Sequence, residues 1–239
     1  MQVVIKKTLV ILAIFLVTPI VIIAINWQWQ PQSLNGWSEY LFWFTQTAGI
    51  PWAILTCAFF PVLFAICLKV KSKVQFIKLV LILAMAVLLG QLIKTVIKSY
   101  TADSRPFVIW IEKNYQIDDK HFYSLSRSER EAVIEQHVYQ SPEIPHWLFQ
   151  HWKNETGYTF PSGHTLFAAT WAFLALLFLN FKRCHNVIGI IIIWAVIIEI
   201  SRLALGMHHP IDVICGSILA WAIALFTYYV ALKWRVIEP

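Results

Sequence analysis

The stretch from Val187 to Asp212 reads VIGIIIIWAVIIEISRLALGMHHPID, and the chain continues as VICGSILAWAIALFTYYVAL over residues 213–232. Up to position 206 the first stretch carries only two charged residues, Glu199 and Arg202, and the second stretch carries none. A helix needs about 20 mostly apolar residues to cross the hydrocarbon core of a bilayer. The two runs therefore predict two membrane-spanning helices that are joined by a short polar turn.

Four similar apolar runs precede this pair, which gives six candidate spans in all. Their approximate limits are 8–26, 50–69, 78–98, 163–181, 187–206 and 211–232. Hydrophobic residues make up 59% of the 239 residues and charged residues only 13%, whereas ordinary globular domains carry about 25% charged residues. We therefore expect an all-α integral membrane protein, a six-helix bundle that forms one domain over residues 1–239. The composition excludes a disordered chain and argues against a soluble enzyme.

The distribution of basic residues predicts the orientation of these spans. Short cytoplasmic loops of membrane proteins are enriched in Lys and Arg. Ten of the nineteen basic residues lie at one end of the spans: Lys6, Lys7, Lys69, Lys71, Lys73, Lys78, Lys182, Arg183, Lys233 and Arg235. Both termini are therefore expected in the cytoplasm, with the first span retained as an anchor. The net charge of +6 is explained by this anchoring, so nucleic acid is not an expected partner.

Two longer segments lie between spans on the opposite, outer side. The segment 26–50 is rich in Trp, Tyr and Phe, which favour the membrane–water interface, and we interpret it as an aromatic anchor along the surface. The segment 99–160 is markedly polar and holds nine of the thirteen acidic residues, so we interpret it as a small extracytoplasmic helical cap. Within it, residues 124–140 predict a short helix with Ser126 or Ser128 as the N-cap.

Ionisable residues inside or beside a span are costly, so they are candidates for function. Three groups of them stand out. The first consists of Lys98, which ends the third span, and Arg105, which precedes a proline. Lys94 lies one helical turn before Lys98, and two like charges at this spacing indicate a shared anion or a hydrated cavity. The alternative is a lysine that reaches the membrane surface beside an ordinary loop arginine.

The second group, Pro161-Ser162-Gly163-His164, opens the fourth span. Pro and Ser are typical of a helix start, and Gly allows a close approach to the backbone. The free N–H groups and the dipole of a helix N-terminus attract anions, and His164 could donate a proton to an anion bound there. The alternative is a plain N-cap followed by a histidine at the membrane interface.

The third group comprises Arg202 near the end of the fifth span and His208, His209 and Asp212 at the start of the sixth. Pro210 suits the first helical position, which places Asp212 in the first turn, where a carboxylate is favoured. From there the carboxylate can accept a hydrogen bond from a histidine ring and fix its tautomer. Spacing alone does not choose between His208 and His209, and a polar helix entrance without chemistry is the alternative.

The predicted topology places all three groups on the same outer face of the membrane. The third and fifth spans end there, and the fourth and sixth begin there. Three fixed cations, two imidazoles and one carboxylate make up the combined set: Lys98, Arg105, Arg202, His164, His208 and Asp212. Such a set suits a multiply charged anion, because Arg forks match phosphate oxygens and cations stabilise a phosphoryl group in transfer.

The same residues resemble the signature of the type 2 phosphatidic acid phosphatase family. KSYTADSRP (98–106), PSGH (161–164) and SRLALGMHHPID (201–212) match its K-x6-RP, PSGH and SR-x5-H-x3-D elements in residue type, order and spacing. The flanking stretches RPFVIWIEK, FYSLSRSER and HWKNETGYTFPSGHT, together with the six spans, resemble bacterial members that act on phosphatidylglycerophosphate. The resemblance covers most of the chain and implies an inner-membrane enzyme with a periplasmic active site.

The resemblance also implies a role for each residue. His208 would be the nucleophile that forms a phosphohistidine, Asp212 would orient it, and His164 would protonate the leaving group and then activate water. The remaining residues of the signature would bind the phosphate: Lys98, Arg105, Arg202, Ser162 and Gly163. The x5 spacing of the family selects His208 over His209, and the implied chemistry needs no metal or other cofactor.

The expected substrate is a membrane lipid phosphate in the bilayer, with phosphatidylglycerophosphate as the first choice. Undecaprenyl diphosphate, diacylglycerol diphosphate and phosphatidic acid are close alternatives, and no protein partner is indicated. Three other classes stay open. The first is a vanadium haloperoxidase, which has the same set of active-site residues but is a soluble protein. The other two are a metal-dependent hydrolase and a non-enzymatic lipid-binding membrane protein.

Glu199 lies outside the signature, three residues before Arg202. At this spacing the two side chains could pair on one helix face. We interpret Glu199 as a structural or supporting residue, with a role in substrate or proton handling as the alternative.

Overall fold

The computed structural model describes residues 2–237, and this part of the chain contains helices and loops but no β-strand. The all-α fold class is thereby confirmed. The α-helices of the described residues are α1 (Gln2–Ala24), α2 (Gly36–Gln46), α3 (Trp52–Cys67), α4 (Lys73–Thr101), α5 (Pro106–Tyr115), α6 (Asp119–Ser124), α7 (Arg127–Val138), α8 (His146–Asn154), α9 (Gly163–Phe178), α10 (Phe181–Ala204) and α11 (Pro210–Lys233).

The six apolar runs of the sequence are all helical, as α1, α3, α4, α9, α10 and α11. Four of these helices, α1, α4, α10 and α11, are long and apolar enough to cross a membrane. α3 and α9 have 16 residues each and rise about 24 Å at 1.5 Å per residue. Because this length falls short of a hydrocarbon core of about 30 Å, a bundle of six spans stays a prediction.

α9 lies at the centre of the bundle, because twelve of its sixteen residues are buried. It packs against α10 and α11 and also contacts α4 and α1. Close packing at its start depends on Gly216 of α11, where an added β-carbon would lie 2.9 Å from the carbonyl oxygen of Ser162. One turn earlier, the carbonyl of Asp212 accepts a 3.1 Å hydrogen bond from the N–H of Ser162. The start of α11 is therefore fixed beside the start of α9.

The helices α5 to α8 form a smaller unit with its own apolar core. Trp152 of α8 is fully buried. Its ring stacks on Phe107 with centroids 4.8 Å apart and meets Trp29 edge-on at 5.5 Å. α7 begins after Ser126, whose N–H donates a 2.7 Å hydrogen bond to the Glu129 carboxylate in a capping box. Of the two N-caps predicted for this helix, Ser126 is therefore the one that is used.

The aromatic segment 26–50 forms α2, which packs with one face on α10 and α8. Trp37, Tyr40 and Trp43 are exposed, as an anchor at a membrane interface requires. Thr45 is fully buried and contacts the side chain of Arg202. The inner face of α2 therefore forms one wall of the candidate site, which the sequence did not predict.

Candidate active site

The three polar groups of the sequence meet at one end of the helix bundle, around the carboxylate of Glu155. Arg105 is the N-cap of α5, His164 is the second residue of α9, and Arg202 lies near the end of α10. All three lie within 3.5 Å of Glu155. His208 lies in the loop between α10 and α11, next to Asp212 in the first turn of α11.

Asp212 is paired with His208. Its Oδ2 atom lies 3.3 Å from Nδ1 of His208 and accepts a 2.7 Å hydrogen bond from the backbone N–H of His209. The same oxygen also accepts a hydrogen bond from the hydroxyl of Thr159. The ring of His209 is engaged elsewhere, with its Nε2 atom 3.0 Å from the carbonyl oxygen of Ser104. The geometry therefore pairs the carboxylate with the imidazole of His208.

The second ring nitrogen of His208 is available for chemistry. His208 is 2% exposed, and its Nε2 atom is buried without a hydrogen-bond partner among residues 2–237. Buried polar atoms are nearly always paired in folded proteins, so an unpaired one marks a position where a ligand can bind. With Nδ1 in contact with Asp212 at 3.3 Å and with the hydroxyl oxygen of Thr159 at 3.0 Å, Nε2 can present its lone pair to an electrophile.

The loop that carries His208 is held in place by two tryptophans from distant parts of the chain. The indole N–H of Trp29 donates to the carbonyl of Ala204 at 2.8 Å, and that of Trp152 donates to the carbonyl of Leu205 at 3.1 Å. The next residue, Gly206, has a φ of +68°, and an added β-carbon there would lie 2.7 Å from the ring of Trp29. Glycine is therefore required at this position both for its backbone conformation and for its size.

Arg202 is fully buried and makes three contacts through its terminal nitrogens. Nη2 donates a 2.7 Å hydrogen bond to Glu155, and Nη1 lies 3.0 Å from Oγ1 of Thr45 and 3.1 Å from Nε2 of His151. Its Nε atom has no partner within the described part of the chain. The side chain is therefore rigidly placed while one donor is left for a ligand.

Arg105 and Lys98 are anchored mainly by backbone carbonyls. Nε of Arg105 donates to the carbonyl of Gly157 at 2.6 Å, and Nη1 donates to that of Met207 at 3.2 Å. Nζ of Lys98 donates to the carbonyl of Tyr158 at 2.5 Å. Carbonyl oxygens do not neutralise a cation as a carboxylate does, so these backbone contacts fix the two side chains without opposing the binding of an anion.

Glu155 is the main site residue that sequence reasoning missed. Its Oε2 atom lies 2.7 Å from Arg202 and 3.5 Å from Arg105, and its Oε1 atom lies 3.4 Å from Nε2 of His164. No spacing rule separates it from the eight other acidic residues of segment 99–160. Its position in the site becomes visible only because the fold brings three distant side chains around it, Arg105, His164 and Arg202.

The pKa values around Glu155 follow from burial and charge. Burial alone would raise the pKa of the Glu155 carboxyl, but Arg202, His164, His151 and Arg105 together hold it well below its usual 4.5. Burial is also the main reason that the pKa of His151 falls to about 4, against the attraction of Glu155. Glu155 is therefore a carboxylate at neutral pH, and His151 is a neutral acceptor for the N–H of Arg202.

The pKa of His208 is lowered well below its usual 6.5. Burial is the largest cause, and Arg105, Arg202 and Lys98 add electrostatic repulsion against a further positive charge. The imidazole is therefore neutral at physiological pH, which is the form that a nucleophile needs.

The PSGH segment forms the start of α9, but some of its hydrogen-bond donors are already bound to other groups of the protein. Ser162 is the N-cap, and its Oγ atom lies 3.4 Å from the N–H of Thr165. The N–H of Ser162 is bound to the carbonyl of Asp212. An added β-carbon at Gly163 would lie 2.8 Å from Cδ of Lys94. Ser162 therefore supports the site geometry, and Gly163 makes room for the side chain of Lys94.

Glu199 does not pair with Arg202, so that interpretation of the spacing is wrong. The carboxyl is fully buried, and its Oε2 atom accepts a 3.4 Å hydrogen bond from Ser217 of α11. Its Oε1 atom has no partner within the described residues. The partner of Arg202 is instead Glu155, because the end of α10 turns that guanidinium toward α8.

Among the described residues, one group of three carboxylates lies close enough together to hold a metal ion: Glu112, Asp118 and Asp119. It includes none of the signature residues. Exposed acidic groups of this kind are common without a metal, so the group assigns no metal centre.

The sequence of this chain is similar to those of known proteins in one superfamily. A profile described as the PAP2 superfamily matches residues 79–235. Phosphatidylglycerophosphatase B of Escherichia coli K12 is 38% identical over 228 residues, which cover 95% of this chain and 89% of that protein. Phosphatidylglycerophosphatase B of Haemophilus influenzae is 36% identical over 212 residues, covering 86% and 87%. An undecaprenyl-diphosphatase of Sulfolobus acidocaldarius is 41% identical over 64 residues, covering 27% and 29%.

Proposed function

Because the chain belongs to the PAP2 superfamily and is a phosphatase, we propose that it is an integral membrane enzyme that removes a terminal phosphate from a lipid by way of a phosphohistidine. The resemblance found in its three motifs is confirmed by this membership. The observation that carries the proposal is the state of His208, whose Nδ1 faces Asp212 at 3.3 Å while Nε2 is buried and unpaired among residues 2–237.

In the first step, Nε2 of His208 attacks the phosphorus atom and the bond to the leaving oxygen breaks. His164 gives a proton to that oxygen, so the lipid leaves as an alcohol. The positive charge that develops on the ring of His208 is stabilised by Asp212, to which Nδ1–H donates. In the second step, His164 takes a proton from water, the hydroxide attacks the phosphohistidine, and free phosphate leaves with His208 restored.

The cations of the site stabilise the charge on the phosphoryl oxygens. Lys98, Arg105 and Arg202 are held by protein contacts before the substrate arrives, so little reorganisation is needed when the transition state forms. Three fixed positive charges supply the electrostatic role that a metal ion plays in many other phosphatases. No metal or other cofactor is part of the proposal.

Phosphatidylglycerophosphate is the proposed substrate, and phosphatidylglycerol is the proposed product. Support comes from the similarity to phosphatidylglycerophosphatase B of E. coli and H. influenzae over most of each chain. Undecaprenyl diphosphate is the second candidate, because an undecaprenyl-diphosphatase is 41% identical over 64 residues. Both substrates end in a phosphate whose oxygens the same three cations can bind.

We further propose six membrane spans in the inner membrane of a bacterial cell, with both termini in the cytoplasm and the site at the periplasmic face. Support comes from four helices of sufficient length and from the clustering of lysine and arginine at the other end of the helices. Residues 99–160 would form the periplasmic cap. A protease-protection assay on intact spheroplasts with a C-terminal tag tests this orientation.

The experiment that tests the function uses protein purified in detergent with EDTA present. Phosphate release is measured from phosphatidylglycerophosphate, undecaprenyl diphosphate, diacylglycerol diphosphate and phosphatidic acid. We expect hydrolysis of at least one lipid in EDTA, with phosphatidylglycerophosphate preferred. Activity that disappears with EDTA and returns with a metal would contradict the metal-free route. If the wild type releases no phosphate from any of these lipids, the proposed function is contradicted.

A further inference from the structure

A cavity lies at the opposite end of the bundle from His208. Its volume is about 660 Å³, within the range of about 300–1,000 Å³ that is typical of sites for small molecules. It lies among the start of α1, the end of α9, the start of α10 and the last turns of α11. From Gly163 to Leu177 along α9 the helix rises about 21 Å, so the cavity and the candidate active site face opposite sides of the bundle.

The rim of this cavity is positively charged. Lys7 of α1 and Lys182 of α10 line it, and both side chains are exposed. Neither lysine forms a salt bridge within the described part of the chain, and no acidic residue is among the lining residues.

The wall below the rim is apolar. Val4, Val10, Leu176, Leu177 and Leu179 line it, and Tyr228 closes one side with an almost completely buried ring. Two free lysines above an apolar wall match the parts of a phospholipid, since the cations suit an anionic headgroup and the wall suits an acyl chain. Basic pockets between helices on the cytoplasmic side of membrane proteins recognise such lipids.

We propose that this cavity binds an anionic phospholipid of the cytoplasmic leaflet, with the phosphodiester between Lys7 and Lys182 and one acyl chain along the wall formed by α1, α9 and α11. This lipid is a bound ligand and not a substrate, because the cavity holds no histidine or carboxylate that could act on it. The proposal depends on the membrane orientation given above and is independent of the roles assigned to His208 and Asp212.

The test is photocrosslinking in vesicles with two lipid probes that carry the same diazirine acyl chain. One probe has a phosphatidylglycerol headgroup, and the other has a zwitterionic phosphatidylcholine headgroup. Labelled peptides are mapped by mass spectrometry, so that labelling near residues 4–10 and 176–182 is counted separately from labelling at the active site. Each lysine near a membrane contributes roughly a fivefold preference for an anionic lipid, so two lysines lead us to expect about 25-fold more labelling of these peptides by the anionic probe.

Two double variants test the role of charge. Lys7→Gln with Lys182→Gln removes both rim charges and should reduce labelling by the anionic probe to the level of the zwitterionic one. Lys71→Gln with Lys73→Gln removes two lysines from the same predicted membrane side, outside the cavity, and should leave labelling unchanged. Equal labelling of the wild type by both probes would overturn the proposal, as would equal losses in the two double variants. Lipid phosphatase activity, measured in parallel, reports on the catalytic proposal separately.

Discussion

The carboxylate of Glu155 accepts a 2.7 Å hydrogen bond from the guanidinium of Arg202. The same carboxylate lies 3.5 Å from Arg105 and 3.4 Å from His164. A negative charge of the protein thus lies among the groups that are proposed to bind phosphate and to deliver a proton. A phosphate bound there would share these donors with Glu155, and the histidine proposed to act on the leaving group is already in contact with a carboxylate.

Replacement of Glu155 by Gln should lower kcat by about a hundredfold, because His164 loses the carboxylate that favours its proton-carrying form. The Michaelis constant should not rise, since removal of a negative charge from the phosphate-binding region does not weaken anion binding. Steady-state kinetics on the preferred lipid measure both constants. Glu155→Asp, which keeps the charge, is the matched control and should recover part of kcat. Equal kcat in wild type and Glu155→Gln would show that the residue is only a structural counter-ion.

Replacement of His208 by Ala should abolish turnover, with a loss of at least about 10⁴-fold, because residues that act as one catalytic unit have effects of this size. The matched control is His209→Ala, which removes a ring whose Nε2 atom lies 3.0 Å from the carbonyl oxygen of Ser104 and away from the Oδ2 atom that faces His208, and it should retain activity within about tenfold. Rapid quenching of the wild type with labelled substrate should trap acid-labile phosphate on His208. Phosphate trapped on another residue would overturn the nucleophile assignment.

Thr159→Val should reduce kcat about tenfold. The Thr159 hydroxyl donates to Oδ2 of Asp212, and a lost hydrogen bond to a charged group costs about 1.5–3 kcal/mol. Thr227→Val is the control, because that buried hydroxyl donates to the carbonyl of Ile223 within α11. Kinetics and thermal unfolding are compared for the two variants. A kcat that falls equally in both would indicate a general effect of removing a buried hydroxyl.

Gly206→Ala should lower both the melting temperature and the activity. A left-handed conformation costs an ordinary residue about 1–2 kcal/mol, and the added methyl group would lie 2.7 Å from the ring of Trp29. Gly189→Ala is the control, since nothing lies within 4 Å of a β-carbon at that position of α10. We expect the control to keep the melting temperature or raise it. A Gly206→Ala protein with wild-type activity would show that the loop tolerates a shift of Trp29.

His208 should stay neutral at mildly acidic pH. Because its pKa lies well below 6.5, the neutral ring persists as the pH falls through 6.5 and is lost only nearer the lower value. Histidine-labelled NMR spectra of the wild type and of His208→Ala identify its signal by difference. We expect no imidazolium shift for that signal between about pH 7.5 and 6. A titration with a midpoint of about 6.5 would contradict the predicted electrostatics.

Local patterns in the sequence predict much of this protein. Runs of apolar residues predict the six apolar helices α1, α3, α4, α9, α10 and α11. Such helices can be predicted because helix formation and burial in lipid both depend on residues that are close together in the sequence. The start of α11 at Pro210 and the N-cap at Ser162 follow from the conformational preferences of single residues. The pairing of Asp212 with a nearby histidine follows from a spacing of one helical turn.

The remaining parts of the site depend on contacts between distant segments, and such contacts leave no local pattern. Glu155 is one acidic residue among many in a polar segment, and Thr45 belongs to a segment interpreted as an aromatic anchor. Thr159 lies two positions before the PSGH motif, yet only the fold shows that its hydroxyl reaches Asp212. Glu199 illustrates the opposite error, because a favourable spacing to Arg202 did not produce a contact.

The two indole hydrogen bonds to Ala204 and Leu205 bear on how members of this superfamily can diverge. Trp152 belongs to the α5–α8 unit, so the segment that carries the proposed nucleophile is positioned by a part of the chain that lies outside the long apolar helices. The two parts are therefore not interchangeable modules. A chimaera of this chain that imports residues 99–160 from a relative would preserve turnover only if the imported segment also supplies a donor for the carbonyl of Leu205.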